Sequence, residues 1–184
     1  MSSNQQDEDL TPYADCRLCK YCRSLLLSGR CAPGDSCVMI QSGRQIDRFF
    51  RVNPGLAIDY IHDDFWERRA IAARYIPPPL LPQMEDDADE AVRRVVAYRL
   101  PREELVRLMN DPDREVRITV ADRLPTGVLE KMAGDVDYLV RAYVVKRLPQ
   151  GRLFRFIRDP DRQVRKLVKA VVDVRRRVMA IGGE

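Results

Sequence analysis

Residues 99–125 read RLPREELVRLMNDPDREVRITVADRLP, and this stretch begins and ends with the same tripeptide, Arg-Leu-Pro. The tripeptide recurs at 99–101, 123–125 and 147–149, and Pro77 stands a further 24 residues upstream. A constant period of about 20 to 50 residues is the signature of repeat proteins, in which each unit packs mainly against its neighbours. The chain is therefore predicted to contain a stack of 24-residue repeats.

Other positions keep the same period, and together they define five copies. The copies run over 53–76, 77–100, 101–124, 125–148 and 149–172, and the first is degenerate. Leucine recurs at 81, 105, 129 and 153, and a Val-Arg pair recurs at 92–93, 116–117, 140–141 and 164–165. One aspartate column occupies positions 63, 87, 111, 135 and 159, and a second occupies 89, 113, 137 and 161.

Each copy is predicted to form two short helices. Asp113 is placed to cap a helix, because its carboxylate can accept the first free amides. Val116, Val120 and Leu124 then recur at i, i+4 and i+8, which is one apolar stripe of an α-helix. Pro125 ends that helix, since the residue before a proline is disfavoured in the α region.

The second segment of each copy is shorter than ten residues, and its apolar pair, such as Leu105 and Leu108, is spaced by three. That spacing fits either a short α-helix or a 3-10 turn. No segment shows the alternation typical of a strand. Neither helix can bury its stripe alone, so stacking the copies is predicted to form one continuous core.

The charged columns have simple interpretations from local position. The aspartates are predicted to be helix caps and turn formers rather than calcium ligands. The arginine after each valine is predicted to lie on a solvated helix face. On this basis Val120→Asp is expected to be severely destabilising, whereas Arg117→Glu is expected to cost little.

Composition excludes several functional classes. The 184 residues include 32 basic and 28 acidic ones, and the single histidine is His62. No apolar run approaches the roughly 18 residues of a membrane helix, and the acidic stretch at 1–12, expected to be disordered, does not resemble a secretory signal. No nucleophile–base set is visible, so the protein is predicted not to be an enzyme. It is also predicted to be cytoplasmic and not to bind membranes.

All five cysteines lie within 22 residues, at positions 16, 19, 22, 31 and 37. Such a cluster without a secretory signal indicates reduced thiolates that bind metal, and not a disulfide framework. The spacing Cys16-x2-Cys19-x2-Cys22 begins like an iron–sulfur motif. The last pair, Cys31 and Cys37, is wider than the usual zinc spacing, which favours a [4Fe–4S] cluster over zinc.

Four of the five cysteines are needed for a cluster. Cys16 and Cys19 belong to every plausible set, and Cys31 and Cys37 flank a Pro-Gly turn that can fold both sulfurs inward. Cys22 borders a helix-like stretch and is predicted to be spare, although it remains an alternative ligand. The cluster charge is expected to be compensated by Arg17, Lys20, Arg23 and Arg30.

A connecting segment at 38–52 carries the capping-box pattern Ser42-Gly-Arg-Gln45, followed by Ile46, Phe49 and Phe50 at helical spacing. This segment is predicted to be a helix that docks the cysteine module, residues 13–52, on the first repeat. Repeats then fill 53–172, and a basic cap and tail fill 173–184.

The two halves together resemble a known family over about residues 13–172. The Arg-Leu-Pro and Asp-Pro-Asp copies resemble leucine-rich repeat variants, and the cysteine stretch followed by residues 42–50, SGRQIDRFF, resembles the iron–sulfur module that precedes them in bacterial members. The resemblance implies an all-α, right-handed superhelical solenoid of alternating α and 3-10 helices, with a [4Fe–4S] cluster at the N-terminus. It implies no established activity.

Three functional hypotheses follow. The first is a scaffold that binds a protein partner on the superhelix surface, with the cluster as a structural, sensing or electron-transfer centre. The second is electron transfer to a partner docked near residues 16–37. The third is nucleic-acid binding, because the net charge of the five copies runs −1, −2, −1, +1 and +5, the last from seven basic and two acidic residues.

Overall fold

The protein is described here by a computed structural model that covers residues 13–181, with side chains through residue 178. The predicted disorder at 1–12 lies outside this range. The described part of the chain divides into two compact units, with the boundary between Leu80 and Leu81. Within 13–181 there is no β-strand, only an isolated bridge between Ala32 and Ser36. Among the helices described, none has the length and the low polarity that a bilayer-crossing segment requires.

Short α-helices alternate with 3-10 helices along the chain, so the fold class predicted from the sequence is confirmed. The α-helices are α1 (Gly43–Val52), α2 (Trp66–Ala72), α3 (Glu90–Arg99), α4 (Arg114–Arg123), α5 (Thr126–Leu129), α6 (Tyr138–Arg147) and α7 (Arg162–Ile181). The 3-10 helices are Cys16–Leu18, Pro54–Tyr60, Pro78–Met84, Leu105–Leu108, Glu130–Met132 and Gln150–Phe156, and a π-helix spans Cys22–Leu26. The ambiguous short segment is thus 3-10 in most copies, and α5 followed by a 3-10 turn in one.

The aspartate column at 89, 113, 137 and 161 caps the α-helices as predicted. Oδ1 of Asp113 accepts a hydrogen bond from the Val116 amide at 3.0 Å, and Oδ1 of Asp137 accepts one from the Leu139 amide at 2.8 Å. Each bond satisfies one of the amides that a helix start leaves without an intrahelical partner. At the other end, Leu124 leaves the helical region with ψ 144°, immediately before Pro125.

The core of the second unit consists of the apolar columns that the period defines. Within that unit α3 packs on α4, α4 on α6, and α6 on α7. The leucine and valine columns are almost fully buried in every copy of the unit, which stabilises the stack by about 1.5–3 kcal/mol per large side chain. The buried members are Leu81, Leu105, Leu129, Leu153, Val92, Val116, Val140, Val164, Val96, Val120 and Val144.

The arginine column does not lie on a solvated face, so that prediction is wrong. Arg117 is only 9% exposed; its Nε donates to Asp135 at 2.8 Å and its Nη1 donates to the carbonyls of Asp111 and Pro112 at 2.8 and 3.1 Å. The guanidinium reaches the Asp-Pro-Asp turn before its own helix and the aspartate of the next copy. Arg93 with Asp111, and Arg141 with Asp159, repeat the pair.

The aspartates of this column also do more than form turns. Oδ1 of Asp111 accepts the Asp113 amide at 2.8 Å, while the same carboxylate accepts two bonds from the guanidinium of Arg93. One carboxylate therefore closes the turn of its own copy and binds the preceding copy. Planar, two-pronged pairing of this kind is the geometry that arginine favours with carboxylates.

A second arginine column, the one in Arg-Leu-Pro, caps the C-terminal ends of the α-helices. Nη1 of Arg123 donates to the carbonyls of Ala97 and Leu100 at 2.6 and 3.0 Å, and Nη1 of Arg147 donates to the carbonyl of Ala121 at 2.8 Å. These carbonyls belong to the last turn of the preceding helix, where a cation is favourable. Arg123 and Arg147 of this tripeptide therefore form further hydrogen bonds between consecutive copies.

The first unit combines the cysteine module, α1 and the first copy. Ile46, Phe49 and Phe50 of α1 are buried, as the pattern predicts, and α1 packs against α2 and the Pro54–Tyr60 helix. Ser42 is the N-cap residue of α1, but its side chain makes no capping hydrogen bond, so the predicted capping box is not formed. Tyr60, the counterpart of Met84 in the degenerate first copy, is buried like the rest of its column.

We expect Arg117→Glu to destabilise the protein by about 3 kcal/mol, because it removes a buried cation and leaves Asp135 facing a like charge. The control is Arg114→Glu, whose side chain is 48% exposed on the same helix and which should change stability by less than about 0.5 kcal/mol. Urea unfolding of both variants measures the difference. Equal midpoints for the two variants would restore the solvated-face interpretation.

Stability is also expected to fall in acid through this column. Burial opposes ionisation of Asp159, but its bonds from Arg141 and the Asp161 amide outweigh this and hold its pKa below the usual value. The contribution is therefore complete above the unfolded-state pKa of about 3.9 and is lost as the pH falls through the folded-state pKa. Asp159→Asn should lower the free energy of unfolding at pH 7, and that free energy should then decrease less steeply below about pH 4. The control, Asp173→Asn at an exposed position, should show neither effect. Parallel pH profiles would contradict this assignment.

Candidate metal centre

All five cysteines line one cavity of about 330 Å³ in the first unit. Cys37 is buried, and the other four cysteines are half-buried. The remaining wall is mostly apolar and includes Tyr21, Val38 and Phe49. The structure therefore brings together the four predicted ligands, Cys16, Cys19, Cys31 and Cys37, and it brings Cys22 to the same space.

The first cysteines are presented by a short 3-10 turn. Asp15 caps this turn by accepting the Arg17 amide at 3.0 Å, and the Cys19 amide donates to the Cys16 carbonyl at 3.2 Å. The sulfur of Cys19 accepts a weak hydrogen bond from the Tyr21 amide at 3.5 Å. Amide bonds to thiolate sulfurs are one means by which a protein tunes a cluster.

The last two cysteines stand at the ends of a closed loop. Ala32 and Ser36 exchange backbone hydrogen bonds at 3.0 and 2.8 Å, which brings Cys31 and Cys37 to neighbouring positions. Gly34 within the loop has φ +77°, and a Cβ there would meet the Tyr13 ring at 2.7 Å. The predicted Pro-Gly turn is confirmed, and the positive φ is the reason that the position favours glycine.

Side chains outside the cysteine motif hold this loop in place. Buried Asn53 donates from Nδ2 to the carbonyls of Arg30 and Phe49 at 2.8 and 2.9 Å, and the Cys37 amide donates to the Gln45 carbonyl at 3.2 Å. The hydroxyl of Tyr60 donates to that of Tyr21 at 3.1 Å. Sequence reasoning missed these supports, and the bonds from Asn53 to Arg30 and from Tyr60 to Tyr21 join segments that are distant in the chain.

Two of the thiols, those of Cys16 and Cys31, lie in an environment that resists ionisation without a cation. Burial raises the pKa of the Cys16 and Cys31 thiols, and the neighbouring cysteines raise it further. A bound metal reverses this preference, because the thiolate is the form that ligates. Of the predicted compensating cations, Arg17 is paired with Asp15 at 3.0 Å, and Lys20 lies over the Tyr21 and Tyr60 rings at 4.9 and 5.2 Å.

The donor set fits an iron–sulfur cluster. Several soft sulfur donors surround a largely apolar space, which is the environment in which thiolate-ligated clusters are held. In residues 13–178, no three His, Cys, Asp or Glu side chains are grouped closely enough to hold a single metal ion. When bound, the cluster would supply a one-electron redox centre.

Known protein families match both the cysteine module and the repeats of this chain. The family model described as the LRV protein FeS4 cluster matches residues 13–59, and the model for the leucine-rich repeat variant matches 90–113 and 114–137. A solved structure described as a leucine-rich repeat variant with a novel repetitive protein structural motif is 69% identical, with a TM-score of 0.84. That alignment covers 86% of this chain and 68% of the solved chain.

A curated relative from Rhodobacter capsulatus is an uncharacterized 27.7 kDa protein in the nifB 3' region. It is 41% identical over 87 residues, which are 47% of this chain and 35% of the relative. The match thus spans about a third of that relative's length. The family matches and the solved relative establish that this chain belongs to the leucine-rich repeat variant family and that its N-terminal module is a [4Fe–4S] cluster module.

Proposed function

We propose that this protein is an iron–sulfur interaction scaffold whose last repeats bind an acidic helical segment of a protein partner. The observation that supports it is an open groove between α6 and α7. We also propose that the protein works in the cytoplasm, where its five free cysteines would stay reduced. We assign no catalytic step to the repeats.

The groove is a hollow of about 1080 Å³ whose lining combines apolar and basic side chains. Leu139, Ala142 and Leu167 line it, and Lys146 and Lys166 belong to the same wall. Lys146 and Ala170 also line a second hollow of about 480 Å³, so the two hollows are adjacent. A groove of this kind accommodates an amphipathic helix.

Charge distinguishes this groove from the same face of the preceding copy. Leu139 and Lys146 occupy the columns that hold Glu115 and Asp122 in α4. No acidic side chain belongs to the lining residues of the groove. An acidic partner would therefore meet cations, apolar side chains and the neutral Tyr138 and Gln163 here, but no like charge, which favours a negatively charged helix.

The contacts of the basic residues favour nucleic-acid binding less than binding of a protein partner. Two of the arginines that make the last copy basic are already engaged. Arg155 is paired with Glu130 at 2.7 Å, and Arg165 donates to the carbonyls of Asp159 and Pro160 at 2.5 and 2.9 Å. These two guanidinium groups are engaged within the repeats. The remaining cations and the apolar groove wall support a protein partner better than a phosphate backbone.

A site-specific cross-linker tests this proposal in cells of the source organism. A photoreactive side chain at position 167 should trap a distinct protein, because Leu167 lines the groove, whereas the same side chain at Val106, 45% exposed on another element, should not. Lys146→Glu with Lys166→Glu should abolish the product. A product that persists in this double variant, or that appears equally from position 106, would contradict the proposal. A nucleic-acid product would support the alternative instead.

We further propose Cys16, Cys19, Cys31 and Cys37 as the cluster ligands. Two of them are presented by one turn and two by the closed loop, so both pairs are held by backbone hydrogen bonds. Cys22 instead begins the π-helix Cys22–Leu26. Its sulfur borders the cavity but is not needed to complete four ligands.

Serine substitutions test this set on anaerobically purified protein. The wild-type protein should be brown and contain about four iron and four sulfide per chain. Cys37→Ser should lose the iron, because it removes a buried ligand, whereas Cys22→Ser should retain it. If Cys22→Ser loses the cluster and Cys31→Ser keeps it, the proposed set is incorrect.

A further inference from the structure

We propose that the mouth of the cysteine cavity is a docking surface for an acidic one-electron carrier protein. We call this surface the rim and define it as Leu18, Leu27, Met39, Arg23 and Arg30. The inference concerns the first unit alone and does not depend on the groove between α6 and α7.

The cysteine module exposes large apolar side chains that are close in sequence to its cysteines. Leu18 stands between Cys16 and Cys19 and is 84% exposed, and Leu27 is 79% exposed beside Leu26, which lines the cavity. Met39 lines the cavity itself and is 46% exposed. Single exposed apolar residues need no explanation, but three within the short cysteine module, one of which lines the cavity, indicate a contact surface.

The free charges on the same module are positive. Its acidic side chains are already paired: Asp15 with Arg17, Asp35 with Arg48, and Asp47 with Arg51. In contrast, Arg23 and Arg30 are exposed, and no acidic side chain of residues 13–178 pairs with either. The rim therefore combines apolar contacts with uncompensated cations, which complements an acidic protein surface.

The cofactor class gives the reason for docking here. Of the five rim residues, Met39 lines the cavity and the other four are close in sequence to residues that line it, so a carrier bound to the rim would approach the cluster. Encounters between redox proteins use small interfaces that are apolar at the centre and charged around it, and they dissociate readily. One electron leaves the reduced carrier and is gained by the cluster. No bond forms or breaks, and no proton is transferred.

A simpler role for the rim cations would be to offset the negative charge of the thiolate-bound cluster. The two roles differ in what they affect. Charge compensation changes how readily the cluster accepts an electron from any reductant, including small ions. Docking changes only the reaction with a carrier protein and makes that reaction depend on ionic strength.

The experiment uses the holoprotein and two reductants. A reduced plant-type [2Fe–2S] ferredoxin serves as the acidic carrier, and dithionite serves as a reductant that needs no docking. Stopped-flow absorbance follows cluster reduction, and thermophoresis measures binding of the oxidised ferredoxin to the oxidised holoprotein. The test variant is Arg23→Glu with Arg30→Glu, and the matched control is Arg176→Glu with Arg177→Glu, two exposed residues of α7 with the same change in net charge.

In the rim variant, both the affinity for ferredoxin and the rate of reduction by ferredoxin should fall by about tenfold or more at low salt. The loss should become smaller as the salt concentration rises. The control should match the wild type, and dithionite should reduce all three at the same rate. Leu18→Asp should weaken ferredoxin binding, whereas Val136→Asp, at a position 91% exposed, should not. The proposal is overturned by ferredoxin that neither binds nor reduces the wild type, by equal loss in the control, or by a matching loss with dithionite.

Discussion

The pairing of a buried arginine in one repeat with an aspartate in the next is the contact on which the stack depends. Arg93, Arg117 and Arg141 each reach an aspartate 18 residues further along the chain, and the paired side chains are at most 11% exposed. An insertion or deletion within one copy would separate the arginine from its aspartate and leave two buried charges unpaired. Such pairs contribute more to a unique register than to net stability, because desolvation offsets much of their attraction. A constant period of 24 keeps every such pair within reach.

The cysteine module is supported by the same kind of repeat. Tyr60, from the 3-10 helix of the first copy, donates to the hydroxyl of Tyr21 in the cavity wall, and Asn53, at the start of that copy, holds the carbonyl next to Cys31. Phe49 connects the two regions, since its ring lines the cavity and lies 5.6 Å from the rings of both Tyr21 and Phe50. Loss of the first copy is therefore expected to loosen the metal site.

Much of this architecture could be predicted from the sequence because it depends on local rules. The period, the caps at Asp113 and Asp137, the proline stops and the buried valines all follow from positions within one copy. The burial of Arg117 could not be predicted in this way, because its partner lies in the next copy. Its position on the helix alone predicted a solvent-exposed side chain. For the metal site, the cysteine spacing predicted the cavity and its loop, but the support from Asn53 and Tyr60 depends on contacts that span 23 and 39 residues.

A double-mutant cycle on one pair between copies tests the central claim most directly. Arg93→Ala, Asp111→Ala and the double variant would be compared with the wild type by urea unfolding, since both side chains are nearly buried and bonded at 2.8 Å. If the pair fixes the stack, its coupling free energy should be at least about 1 kcal/mol, and the double variant should lose less than the sum of the single variants. Additive losses, within about 0.3 kcal/mol, would contradict the account and would mean that the apolar columns alone set the register.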